Sequence, residues 1–276
     1  MLKLTNIFIY PIKGCSGIAL DQAELQGRGI KYDRRWMLVD ESGNFITQRS
    51  FPVLAMIKVS IEGEFLQVAF KERKHQIPLH TIAAGEPVEV KVWDDFVPGF
   101  PTAEADHQWF SDILNSNVRL VAMLDQSIRP VDPRYAVDKT EEVSFADGYP
   151  FLVIGENALH TLNSRIEGEP LKMDRFRPNL VFSGGEPHEE DSWEEFKIGN
   201  CDFYGVKPCA RCQMTTIDQQ TGVVGKEPLK TLSAYRKIGN KILFGQNCLL
   251  KSGDMIRIDD EITVLKRGES PINGEN

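Results

Sequence analysis

The chain has 276 residues, with 32 basic and 40 acidic side chains and a formal net charge of −8. Hydrophobic residues at 41% and charged residues at 26% match an ordinary globular composition, which excludes wholesale disorder, collagen-like repeats and a disulfide scaffold. The acidic balance argues against broad nucleic-acid binding, which needs a basic face for phosphates, but it leaves room for a local basic pocket.

At the N-terminus, Lys3 and Pro11 interrupt any signal-peptide-like stretch. No run approaches the roughly 20 apolar residues that span a bilayer. Five cysteines, an odd and low number, favour a reducing compartment, so a cytoplasmic protein without a membrane segment is expected. The alternation of Leu4, Ile7 and Ile9 predicts a strand that stops at Pro11. Residues 35–40 and 45–49 flank a turn with Gly43 and Asn44, which predicts a hairpin. Residues 56–61 and 65–70 predict a second one across a Glu-Gly-Glu turn. Short strands so spaced point to a barrel or sandwich rather than a βαβ array. Helical spacing follows over 103–115 and 156–166, with core-facing apolar stripes, and a short helix is predicted over 228–236 behind Pro228. The segment 125–148, with Pro130, Pro133 and many charges, reads as a connection or covering loop, and a domain boundary is placed near it. Beyond it come a buried apolar run at 150–155 and strands near 180–185, 196–205, 213–218 and 255–264.

The chemically informative segment runs from Lys207 to Asp218 and holds Cys209 and Cys212 with Arg211 between them. A guanidinium beside a thiol stabilises the thiolate, the form that ligates metals and attacks electrophiles. Four readings stay open at this point. One is a zinc site completed by Cys201 and Cys248, although no second paired spacing exists. The others are a redox pair, which would prefer a βαβ setting, a single thiolate on a soft metal or cofactor, and structural cysteines. Cations recur at strand ends: Lys13, Arg34 and Arg35, and Arg175 and Arg177, where they can converge on an anion. There is no phosphate-loop or dinucleotide glycine pattern. The five histidines are scattered, which favours structural roles. Residues 186–195 hold six acids and no Lys or Arg, and read as a solvated loop or, failing that, a docking face for a basic partner.

Several motifs occur in a telling order: Tyr10-Pro11-Ile12-Lys13, Asp33-Arg34-Arg35-Trp36, Phe176-Arg177-Pro178-Asn179, Asp191-Ser192-Trp193 and Cys209-Ala210-Arg211-Cys212 followed by Thr215-Thr216-Ile217-Asp218. Glu227-Pro228-Leu229 and Leu243-Phe244-Gly245-Gln246 complete the set. Over nearly the whole chain they resemble the MOSC-domain family, most closely the mitochondrial amidoxime-reducing component and its bacterial relatives.

The resemblance implies a mainly β, α+β protein in which a MOSC-type β-barrel packs against an N-terminal barrel-like domain with a few helices. It divides the chain into 1–122, a MOSC domain at 123–268 and a polar tail at 269–276. It further implies a molybdenum–molybdopterin cofactor ligated by Cys212, with Lys13, Arg34, Asp147, Arg177, Asn179 and Arg211 at cofactor-binding positions. Gly14 stands where some relatives have serine, and in Ala146-Asp147-Gly148 only Asp147 keeps a polar side chain for the cofactor. The activity implied is reduction of small N-hydroxylated compounds by electrons from a separate flavin, haem or iron–sulfur protein. A cofactor or sulfur carrier without turnover is the alternative. Charge is unevenly spread in a compatible way: residues 1–50 hold seven basic against five acidic side chains, and 201–250 seven against three.

Overall fold

A computed structural model describes residues 1–80 and 85–272. Expectations for the end of the polar tail, from 273 onward, lie outside the described residues.

Seven strands close into a barrel in the second half of the chain, with one strand drawn from the first half. Around the ring, Leu2–Ile9 pairs with Leu180–Ser183 and that strand with Phe151–Gly155. Phe151–Gly155 pairs with Lys241–Ser252, which pairs with Cys201–Ala210. Trp193–Ile198 and Glu261–Arg267 complete the circuit back to Leu2–Ile9. Every pairing is antiparallel except Phe151–Gly155 with Leu180–Ser183. A parallel neighbour needs a crossover, and the helix Glu156–Asn163 lies in it.

The apolar run at 151–155 is buried on both faces, as its unbroken hydrophobicity predicts. Phe151 and Val153 point into the barrel core with Leu4, Ile7, Phe196 and Phe203. Leu152 and Ile154 face outward onto Ala158 and Leu162 of the crossover helix. Strand Trp36–Val39 behaves the same way: Trp36 and Leu38 join one core and Met37 and Val39 another.

The first half carries two smaller sheets. One orders Trp36–Val39, Arg119–Ala122, Asp95–Pro101 and Val88–Val92; the other is the meander Lys58–Glu62, Phe65–Phe70 and Arg73–Pro78. Helix Glu104–Leu114 covers them through Trp109, Phe110 and Leu114. The fold class expected from the sequence therefore stands, with three α-helices among the described residues. None of those helices is long and apolar enough to cross a membrane.

Four local expectations are corrected. Residues 213–218 are not a strand, because Gln213–Thr216 forms a 3-10 turn. The Thr215 and Thr216 hydroxyls donate to the carbonyls of Cys212 and Gln213, so local side-chain bonds displace the ladder. Residues 45–49 pair with the preceding strand only at Phe45 and Ile46 before the chain turns. Thr47 Oγ1 accepts from the Arg49 amide, which bends the chain there. The helix expected over 228–236 is one turn, Leu229–Leu232.

The fourth correction concerns the acidic run at 186–195, which is not a solvated loop. Glu190 and Asp191 are buried, and Asp191 pairs with buried Arg236 at 2.5 Å. Glu189, Glu194 and Glu195 are ion-paired to Arg267, Lys266 and Lys251. Burial, reinforced by the neighbouring Asp191 charge, pushes the Glu190 carboxyl up to about 8. His188 is pulled down to about 3, first by burial and then by Arg236 and Arg165. A run of acids is legible in sequence as charge but not as burial, and here buried Arg236 draws it inward.

Candidate functional site

An open cleft lies between the barrel rim and the first-half sheets. All seven residues singled out from the sequence, Lys13, Arg34, Asp147, Arg177, Asn179, Arg211 and Cys212, line it.

The thiol end of the cleft is built by a strand that breaks its own pairing. Cys201–Ala210 runs antiparallel to Lys241–Ser252, and its register slips between Pro208 and Ala210, leaving Cys209 in the irregularity. A bulge of this kind bends a strand and re-aims side chains. Cys212 follows as the cap of the 3-10 turn and is exposed, whereas Cys209 is half-buried. Arg211 donates to the Phe176 carbonyl at 2.6 Å and to Cys209 Sγ at 2.9 Å, so its direct thiol partner is Cys209. Its Nε is buried with no hydrogen-bond partner among the described residues. Arg175 braces the same segment through the Thr216 carbonyl and Asp218. Cys201 and Cys248 sit in the barrel core instead. Among the described residues no three His, Cys, Asp or Glu side chains could hold a metal ion, so the four-cysteine zinc reading finds no site.

The cationic wall comes from turns. Arg34 and Arg177 both adopt left-handed backbone (φ 50° and 53°). This conformation is uncommon for side chains larger than Asn, and Arg177 also precedes a proline, which narrows its choices further. Both guanidinium groups lie over the Tyr10 ring, at 4.4 and 4.2 Å from its centroid. Arg34 donates to Asp33, Asn179 Oδ1 and the Arg177 carbonyl, and Arg177 to the Cys15 carbonyl. Burial lowers the Arg177 guanidinium from its ordinary range and raises the Tyr10 phenol. Asn179 is fully buried, its Oδ1 also taking the Leu152 amide and its Nδ2 donating to the Phe8 carbonyl. It therefore acts by holding Arg34 against the strand ends.

Lys13 reaches the cleft from the end of the first strand and donates to the Phe145 carbonyl at 2.7 Å and to Asp147 at 2.5 Å. Burial pulls its ammonium below the usual lysine range, opposed by Asp147. Desolvation works against the Asp147 charge, but Lys13 outweighs it and holds the carboxyl well below the ordinary carboxylate range. Buried Arg129 fastens this loop by donating to the carbonyls of Ser144, Ala146 and Asp147. Gly14, also on the wall, sits at φ +92°, where any side chain would be strained. Behind the lining residues Thr47 and Arg49, buried Gln48 and Gln219 exchange amide hydrogen bonds at 3.0 and 3.1 Å. The pair joins the first-half turn to the cysteine segment.

Three lining residues had no signal in the sequence: Phe45, Arg49 and Trp93 at the mouth. Arg35, a candidate cation, turns away to the Met123 carbonyl and Asp125.

Two family models match the chain in order, the MOSC N-terminal beta barrel domain over residues 1–117 and the MOSC domain over 140–263. The chain is 32% identical to mitochondrial amidoxime-reducing component 1 of Homo sapiens, across 95% of this chain and 82% of that protein. The Mus musculus counterpart is 34% identical over the same shares. Molybdenum cofactor sulfurase of Oryza sativa subsp. japonica is 32% identical across 94% of this chain but only 34% of its own length.

Proposed function

This chain belongs to the MOSC-domain family, and on that premise we propose that it is a molybdenum-cofactor-dependent oxidoreductase reducing small N-hydroxylated compounds: amidoximes, hydroxylamines and N-hydroxylated bases. The observation that carries the reading is the convergence of one exposed thiol, Cys212, with Lys13, Arg34, Arg177 and Arg211 on a single cleft. The donor set fits the group. A thiolate suits a soft metal, guanidinium forks suit a phosphate, and Arg211 holds a buried N–H still without an acceptor.

When bound, molybdopterin supplies the two-electron redox chemistry, and the protein supplies ligation, electrostatics and access. Cys212 Sγ is the protein's ligand to the metal. Lys13, Arg34, Arg177 and Arg211 hold the cofactor's phosphate and polar edges, with Asp147 orienting the Lys13 ammonium and Asn179 the Arg34 guanidinium. Because the cations are anchored on carbonyls before any ligand arrives, little ordering is left to be done on binding. Overall, an N–OH group, two electrons and two protons give N–H and water. The electrons come from a separate flavin, haem or iron–sulfur protein.

The similarity to a cofactor sulfurase favours one second reading, a cofactor or sulfur carrier without turnover. Metal and pterin content of the purified protein, with reductive turnover of an amidoxime, separates the two. Molybdenum with turnover supports the reductase, and molybdenum without turnover supports the carrier. A Cys212→Ser protein that keeps both molybdenum and full turnover would overturn the assignment of Cys212.

A further inference from the structure

The mouth of the cleft is built differently from its depth. Trp93 occupies the two-residue turn between strands Val88–Val92 and Asp95–Pro101, at φ 58°. A bulky aromatic in left-handed backbone is an outlier, because turns of this kind favour glycine at such a position. The cost is retained at a place where the ring has little to pack against, since Trp93 is 41% exposed. Its surroundings fix its orientation: the indole N–H donates to Asp147 Oδ1 at 3.2 Å, and the Phe45 ring lies 5.3 Å away. The Arg49 guanidinium lies over the indole at 4.8 Å.

Arg49 differs from every other cation lining the cleft. Lys13, Arg34 and Arg175 have carboxylate partners, and Arg177 and Arg211 donate to carbonyls. The one hydrogen bond of the Arg49 side chain is a long contact from Nε to Thr47 Oγ1, at 3.4 Å. Both of its terminal nitrogens stay uncommitted among the described residues. A guanidinium with a free fork, held by an aromatic face at the edge of a positive cleft, is built to take a carboxylate or phosphate. The exposed indole face offers a flat apolar surface beside it.

We propose that Trp93 and Arg49 form the substrate-recognition lip of the cleft, selecting flat N-hydroxylated molecules that carry an anionic group. This rests on the reductive reading of the cleft. Trp93 stacks the ring, Arg49 takes the anion, and the Asp147–Lys13 pair ties the lip to the wall that would hold the cofactor. The anion met by Arg49 could equally belong to the cofactor, and the test separates the two sources.

Trp36, Trp109 and Trp193 are all buried, so quenching of exposed tryptophan fluorescence reports on Trp93. Benzamidoxime and 4-carboxybenzamidoxime are titrated into the wild-type protein, Arg49→Ala and Trp93→Phe, and KM, kcat and molybdenum content are measured for each. The expected result is tighter quenching and a lower KM for the carboxylated compound in the wild type, with that preference collapsing about ten-fold in Arg49→Ala. In Trp93→Phe the quenching disappears and KM rises about three-fold for both compounds while molybdenum is retained. An unchanged preference in Arg49→Ala overturns the proposal. Loss of molybdenum with the preference intact gives Arg49 to the cofactor and likewise overturns it. If the wild type neither holds molybdenum nor turns over, the reductase reading falls, while the quenching preference still decides the lip.

Discussion

In the cleft, Arg177 and Arg211 are fastened to backbone carbonyls, which hold a cation without cancelling its charge, and the wall stays positive and open to solvent. Around residues 188–191 charged groups are used in the opposite way. Asp191 is closed against Arg236, Glu190 is driven toward its neutral form, and the His188 ring nitrogens and the Asp191 Oδ1 atom are buried without hydrogen-bond partners among the described residues. In the sequence both regions read only as clusters of charge, of opposite sign. What separates Arg177 and Arg211 from Arg236 is the kind of partner: carbonyl anchoring preserves a field for a ligand, whereas carboxylate pairing in the interior spends it on the fold.

That contrast can be broken by exchanging readouts. The largest effect is expected for Cys212→Ser, which should lower amidoxime reduction by more than the roughly 10–100-fold typical of residues that merely support a ligand. Its thermal midpoint should stay within measurement error of the wild type, because the side chain is exposed. Next comes Asp191→Ala, which strands Arg236 in the interior and should cost about 3–5 kcal/mol of unfolding free energy in urea. Molybdenum content of the folded fraction should be unaffected, and a parallel loss would show that the two regions are coupled.

A third test uses pH. The folded protein holds the Glu190 proton up to about 8, whereas the unfolded chain releases it near 4.5. The stability contributed by that proton is complete below pH 4.5 and is lost as pH rises through 8. Glu190→Gln should remove on the order of 3 kcal/mol of that alkaline loss, read as unfolding free energy at pH 5 and pH 8. His188 works on the other flank: its folded value near 3 lies below the ordinary 6.5, so its contribution is lost as pH falls through that window. The smallest effect is expected for Gln48→Ala, about 1–2 kcal/mol from one buried amide left without its partner. Unlike the changes at 190 and 191, it should also weaken cofactor retention, because it loosens the tie between the turn that carries Thr47 and Arg49 and the cysteine segment.

Much of the site was legible because its chemistry is carried by short motifs at strand ends. Lys13, Arg34, Arg177 and Cys212 each announce themselves by residue type and turn context, and all reach the same cleft. Asn179 was legible as a member but not in its role, since only the three-dimensional contacts show both ends of its amide committed to Arg34, Leu152 and Phe8. Trp93 was silent because a turn that places a tryptophan in left-handed backbone violates the propensity by which turns are read. Arg49 was assigned to a strand that the Thr47 hydroxyl bends away. The strand expected at 213–218 failed for a related reason, local side-chain bonds outcompeting a ladder that β-branched residues would otherwise join. In the last two cases a hydroxyl bonding to backbone two or three residues away overrode a sound strand propensity.

Of the seven barrel strands, Leu2–Ile9 comes first in the chain, well ahead of both its barrel neighbours. Its neighbours, Leu180–Ser183 and Glu261–Arg267, leave the ribosome roughly 170 and 250 residues later. At about 5–20 residues per second, the first strand waits roughly 10–35 s for the earlier of these two neighbours, with only the short strand Ile18–Leu20 paired beside it in the meantime. Over that interval an alternating apolar segment has one edge unpaired and the other covered only at Ile7–Ile9. The chain's vulnerability in the cell therefore lies in time as well as in space, and a holdase that binds extended apolar segments would shield a strand whose barrel neighbours are not yet made.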